Sequence, residues 1–177
     1  MISKFTSPSL EYPSLGAELG DQSIPDADCG NWLRLHRLWG KLPEFVLQDV
    51  ARSLYLLQVK AGTLIYQANQ PVVGLYLLKC GAIEIYRLSP IGKTLIRHRS
   101  AGDLFGYVSL MANPENGKHQ TQAIAINASE IWFLPLAQFR QLMQQHTEIE
   151  HLLNALLAED LNTYIARIAQ EQQRIQG

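Results

Sequence analysis

Apolar positions along this chain change period twice, from helical spacing to short alternating runs and back to helical spacing. Ahead of the first helical stretch, residues 1–30 are broken by Pro8, Pro13, Gly16, Gly20, Pro25 and Gly30, with Ser, Asp and Glu between them. That composition predicts a flexible N-terminal tail. Helical spacing starts near Asn31, which is placed to cap a stripe of Trp32, Leu33, Leu35, Leu38 and Trp39 before Gly40 ends it. Pro43 suits the first turn of a second short helix, whose predicted buried side is Phe45, Val46, Leu47, Val50, Ala51 and Leu54.

From Leu56 onward, glycines and turn residues recur roughly every eight to twelve positions, the mark of consecutive short strands. Strands are predicted over 55–59, 63–66, 73–78, 82–88, 93–99, 121–126 and 129–134. Gly62, Gly81, Gly92, Gly102 and Gly106 fall at corners, where a positive φ or a close backbone approach is needed. Glu84 alternates with Ile83 and Ile85, so that strand has one wet face. No long helix separates the strands. This argues against a parallel α/β sheet and for a mainly β protein with flanking helices, built on an antiparallel barrel or jelly roll.

After Leu134 the helical period returns. Pro135 opens a helix carrying Phe139, Leu142 and Met143, and a break follows at His146-Thr147. Thr147 with Glu150 three residues on predicts a capping box for a long helix over about 148–175. Its first apolar residues are Ile149, Leu152, Leu153 and Leu156. Leu157, Leu161, Tyr164, Ile168 and Ile175 then keep heptad spacing, with Glu171 interrupting. A seam of this kind needs a partner surface, and a second copy of the same helix is the simplest one, so a homodimer is expected. The chain thus divides into a tail (1–30), a β-barrel with its helices (31–147) and a C-terminal dimerisation helix (148–177).

Charge and composition narrow the function. The 177 residues carry 15 Lys and Arg against 16 Asp and Glu, a net charge of -1, which argues against holding nucleic acid by bulk charge. Charged residues make up only 18%, which leaves apolar surface for a protein partner to cover. The two cysteines cannot build a disulfide framework or a four-thiolate site. Cys80, before a turn glycine, reads as buried, and Cys29 reads as an exposed tail residue. No apolar run approaches a membrane span and no secretion signal opens the chain, so a cytoplasmic protein is expected. His36, His98, His119, His146 and His151 are scattered without metal-ligand spacing, and no nucleophile–base grouping or carboxylate pair suggests catalysis. A non-enzyme without metal or resident cofactor is expected.

Leu42-Pro43, Ala61-Gly62-Thr63, Leu75-Tyr76-Leu77, Gly81-Ala82-Ile83-Glu84-Ile85-Tyr86, Gly102-Asp103-Leu104-Phe105-Gly106 and Phe139-Arg140-Gln141-Leu142 occur in this order ahead of a long helix. The series resembles the cyclic-nucleotide-binding domain of the cyclic AMP receptor protein and its Crp/Fnr regulator relatives, from about Leu38 to Ile175. The resemblance implies a β-jelly-roll followed by a dimer-forming helix. Transcription factors of that family continue into a helix-turn-helix. This chain ends at Gly177, so direct DNA binding of that type is not expected from it.

In that family a short segment after the Gly-Asp-Phe-Gly turn cradles the nucleotide phosphate. Backbone N–H groups, a carboxylate for the ribose and an Arg for the phosphate act together there. Here the segment runs from Phe105 to Thr121. Gly106 matches the turn glycine, Tyr107 stands at the carboxylate position, Val108 follows, and His119 falls at the Arg position with Gln120 and Thr121 next. A charge-assisted hydrogen bond contributes about 1.5–3 kcal/mol. Losing both anchors would therefore weaken cyclic AMP binding by roughly two to four powers of ten. Phe105 to Leu110 also resembles the corresponding stretch of nitrogen-control regulators, which bind a dicarboxylate, but their Arg too falls on His119. Tyr164 and Ile165 fall where the family contacts the base, and both equally suit a dimer core. Arg97 and Arg99 share one face of a strand, either as a solvated face or as holders of a different anion. Two functions follow. The leading one is a regulatory module acting by dimerisation and protein contact, with its phosphate anchors replaced. The alternative is a sensor for an anionic effector, held by Gly106–Ser109 backbone, the His119–Thr121 stretch and Arg97 or Arg99.

Overall fold

The computed structural model describes residues 27–113 and 115–177. Expectations for residues 1–26 lie outside the described residues. Eight strands form two antiparallel four-stranded sheets. β1 (Tyr55–Val59), β8 (Ser129–Pro135), β3 (Gly74–Cys80) and β6 (Leu104–Phe105) make one, in that spatial order. β2 (Leu64–Tyr66), β7 (Gln122–Ala125), β4 (Ala82–Ser89) and β5 (Gly92–Ser100) make the other. This is the jelly roll that the strand spacing predicts.

The predicted strands all form, most within a residue or two of their expected ends. β6 was not predicted, since two residues are too few to show an alternation. The five glycines expected at corners all have positive φ. At Gly106 (φ 79°) a Cβ would lie 2.8 Å from the Tyr76 ring, so both conformation and space require glycine.

The first sheet separates two cores. Leu57, Ile65, Leu78, Ile83, Ala125, Ile131 and Phe133 meet between the sheets. The outer face of the first sheet, with Leu75, Leu77, Trp132 and Leu134, packs under the helices, so β3 is buried on both faces and reads as a continuous apolar run. α1 (Ala27–Leu35), a 3₁₀ turn at Trp39–Lys41, α2 (Glu44–Ser53) and α4 (Leu136–Gln145) supply Leu33, Trp39, Val46, Leu47, Val50, Phe139 and Leu142 to that second core.

Several local expectations are corrected. α1 starts four residues before Asn31, which binds the Arg34 guanidinium (2.9 Å) instead of capping a helix. Phe45 is exposed rather than buried and lies at 5.6 Å from the His146 ring. Pro43 is the N-cap of α2 rather than its first helical residue. α5 (Thr147–Gln176) is capped by His146 with no side-chain bond, so Thr147 and Glu150 form no capping box. Instead His146 Nε2 meets Asp49 Oδ2 at 2.8 Å and ties α5 to α2. The cysteines exchange roles: Cys29 is buried on the inner side of α1, whereas Cys80 is exposed at a strand end, its thiol 3.5 Å from Glu130.

α5 has two halves. Ile149 and Leu153 are buried and Leu152, Leu156 and Leu157 pack partly against the helical core. Every residue from Leu161 onward is exposed. None of the described helices is long and apolar enough to cross a membrane.

Candidate functional site

The segment expected to form the pocket begins where β6 ends. Gly106 turns the chain and α3 (Val108–Ala112) follows, with Met111 N–H donating to the Tyr107 carbonyl at 3.0 Å. Val108 projects outward and is half exposed, whereas Phe105 and Tyr107 are buried. The return limb is held by backbone bonds to 69–72: Val72 N–H to Gly117 O (2.9 Å), His119 N–H to Gln70 O (2.9 Å) and Asn69 N–H to His119 O (2.7 Å). That pairing turns His119 inward and leaves Gln120 exposed.

His119 is 2% exposed and stacks on Tyr66 with ring centroids 3.7 Å apart and planes 10° from parallel. Its Nε2 is buried without a hydrogen-bond partner. Burial lowers its pKa to about 4, so the ring is neutral at pH 7. It therefore supplies no positive charge to the barrel interior. Tyr66, Tyr76, Phe105 and Phe133 continue the ring cluster across the barrel interior, with Tyr76 5.2 Å from both Phe105 and Phe133. Thr121 shares a side-chain hydrogen bond with Tyr66. Burial raises the Tyr66 pKa, and that bond and the Arg99 charge partly offset the rise.

Arg97 and Arg99 are not a solvated face. Both point from β5 to α5 and share Asp160, a residue that the sequence reading did not single out. Arg99 Nη2 donates to Asp160 Oδ2 (2.9 Å), Arg97 Nη1 lies 3.3 Å from Oδ1, and Arg97 Nη2 donates to the Asp160 carbonyl (2.7 Å). Tyr107 donates its hydroxyl to the same Oδ2 at 2.7 Å. Burial alone would raise the carboxyl's pKa, but the bonds from Arg99 and Tyr107 outweigh it and hold Asp160 below its ordinary value. The Tyr107 hydroxyl is pushed well above its usual range, first by burial and then by its bond to Asp160. Burial pulls Arg99 down, and Asp160 more than restores it. The cavity left beside Arg99, Tyr107, Leu156 and Asp160 has a volume of about 30 Å³.

The predicted residues therefore divide. Arg97, Arg99 and Tyr107 meet at Asp160, and Phe105, His119 and Thr121 line the adjoining ring cluster. Tyr164 stands one turn beyond Asp160, 47% exposed, with Ile165 beside it. The shared face of Arg97 and Arg99 was visible in the strand alternation. Tyr66 and Asp160 carried no local signal, since each acts on residues far along the chain.

The jelly roll, its segment between β6 and β7 and the long following helix define the fold class, a mainly β domain closed by a C-terminal helix. Residues 56–146 match the model of the cyclic nucleotide-binding domain family, and the chain belongs to that family. Among solved structures it is similar to the Thermus thermophilus catabolite activator protein, with a TM-score of 0.64 and 22% identity over 80% of this chain and 63% of that one. It is also similar to the sensor domain of the transcriptional regulator DNR from Pseudomonas aeruginosa (TM-score 0.60, 21% identity, 75% of this chain and 92% of that one). The regulatory domain of Toxoplasma gondii PKA, solved with cAMP, matches with a TM-score of 0.65 and 18% identity over 75% of this chain and 49% of that one. Among curated proteins, neuropathy target esterase sws of Drosophila melanogaster is 26% identical over 148 residues, 80% of this chain. The Drosophila virilis protein of the same name is 22% identical over 151 residues, 82% of this chain. The chain spans about a tenth of the length of these curated relatives.

Proposed function

We propose that this chain is a non-catalytic regulatory module that acts by dimerisation and protein contact through α5, with the cyclic-nucleotide anchors of its family replaced. One observation carries the reading: the Asp160 carboxylate sits on Arg97, Arg99 and Tyr107 and leaves a cavity of only about 30 Å³. That is room for about one water, whereas small-molecule pockets run to roughly 300 Å³ or more. Tyr107 in place of a carboxylate and neutral His119 in place of Arg remove the two groups that would select a cyclic phosphate. The exposed Leu161, Tyr164, Ile165, Ile168 and Ile175 on α5 give the module a surface that a second copy would cover. A net charge of -1 favours protein over nucleic acid as the contact, and two cysteines, too few for a disulfide framework, suit the reducing cytoplasm.

Calorimetry with cyclic AMP, cyclic GMP and cyclic di-GMP tests this reading. No binding at micromolar concentrations is expected, and micromolar affinity for any of the three would overturn it. A second reading, a sensor for an anionic effector, is favoured by one observation: Arg97 and Arg99 already hold an anionic group, the carboxylate of Asp160.

A further inference from the structure

The seam between β5 and α5 has more donors and more positive charge than its carboxylate satisfies. Arg97, Arg99 and Tyr107 converge on Asp160, yet Arg99 Nε is buried with no acceptor. Two guanidiniums share one bonded carboxylate. Of the neighbouring acids, Glu159 turns to Arg37 at 3.4 Å, and Asp103, whose Oδ2 accepts from Ser100 N–H at 2.9 Å, acts on Arg99 through its charge alone. Asp160 Oδ2 already takes both Arg99 Nη2 and the Tyr107 hydroxyl, so the planar carboxylate has no oxygen placed for Nε. A phosphate brings a further acceptor oxygen. It would take Nε and Nη2 of Arg99 as a fork, accept from Tyr107, and with two charges balance both guanidiniums.

We propose that Arg97, Arg99 and Tyr107 form a site for a phosphate-type dianion whose resident occupant is the Asp160 carboxylate, so that the dianion displaces Asp160 and frees the outer half of α5. This rests on the effector-sensing reading and names its ligand class and its consequence. The consequence follows from where Asp160 stands. Apolar anchoring of α5 ends at Leu157, and beyond Asp160 every residue of the helix is exposed. The remaining ties, Arg167 Nη1 to the Ile96 carbonyl (3.1 Å) and Arg37 to Glu159, are exposed and weak. The site differs from one for a cyclic phosphodiester, which carries a single charge and leaves the second guanidinium unbalanced.

The test uses the full chain, with inorganic phosphate at pH 7.5 as probe and cyclic AMP as the singly charged comparator. If Asp160 is docked at least about nine-tenths of the time, its neutralisation should tighten phosphate binding tenfold or more. Asp160→Asn is therefore expected to bind phosphate at least tenfold more tightly than the wild type, and cyclic AMP no better. Adding Arg99→Gln should abolish the gain. Phosphate at saturation should also speed amide hydrogen exchange over residues 158–168 of the wild type. Equal phosphate affinity in Asp160→Asn and wild type, both lost in Arg99→Gln, would sink the displacement and leave the sensing reading standing. Phosphate binding in neither would sink both. Should Asp160→Asn fail to fold, the exchange measurement decides alone: protection over residues 158–168 unchanged at saturating phosphate overturns the proposal.

Discussion

Replacing His119 with Phe removes a titrating group that the barrel interior holds neutral, while keeping a ring to stack on Tyr66. The folded pKa of His119 is about 4, against an ordinary value of 6.5, because burial penalises its charged form. Between those two values the unfolded chain binds a proton that the folded chain does not. Stability is therefore unaffected by this group above about pH 6.5, falls as pH drops through the window, and levels below about pH 4. Each pKa unit corresponds to about 1.4 kcal/mol, so going from about pH 7 to about pH 4.5 costs the wild type about 2–3 kcal/mol through His119 alone. Asp160 does not confuse the comparison. Its pKa is held below the ordinary carboxylate value, so it stays ionised through this window and its contribution is lost only at lower pH. His36 is also lowered by burial, but wild type and variant share it. The assay is urea unfolding at both pH values and one protein concentration. His119→Phe should lose about 2–3 kcal/mol less than the wild type over the interval. It should also be no less stable at pH 7, since Nε2 has no partner to lose. Equal losses in the two proteins would refute the view that His119 is buried neutral.

Gly106→Ala should destabilise by about 2–4 kcal/mol in the same assay, because a Cβ at φ 79° would also press on the buried Tyr76 ring. Leu161→Glu with Ile168→Glu changes exposed positions only, so stability of the barrel should hold while light scattering falls to the mass of one chain. An unchanged mass would remove α5 from the dimer seam. An aromatic disulfide reagent should titrate Cys80 quickly in the native protein and Cys29 only after denaturant is added. Two fast thiols would contradict the burial of Cys29.

The strands, the corner glycines and the two halves of the helical sequence were legible because each rests on neighbours close in the chain. Alternation around Glu84 and the helical spacing of Ile149 and Leu153 are local patterns, and the backbone must obey them to bury apolar surface. The same local logic failed where a neighbour decides. Phe45 sits on the apolar stripe of α2 but at its edge, exposed and beside the His146 ring. Thr147 and Glu150 have the spacing of a capping box, yet His146 takes the cap position and is drawn to Asp49, 97 residues earlier. Cys29 and Cys80 reversed their expected burial because α1 starts earlier than Asn31 and β3 ends in solvent.

The candidate site shows the division most clearly. The sequence by itself placed Tyr107 and His119 in the segment between the Gly106 turn and the next strand, and put Arg97 and Arg99 on one face. Only the tertiary structure brought Asp160 onto those arginines, 61 and 63 residues away in the chain, and set His119 flat against Tyr66. Local periodicity tells which way a side chain points from its own element. What it meets depends on how distant elements pack, and that packing turned two arginines and a tyrosine into the seat of a carboxylate.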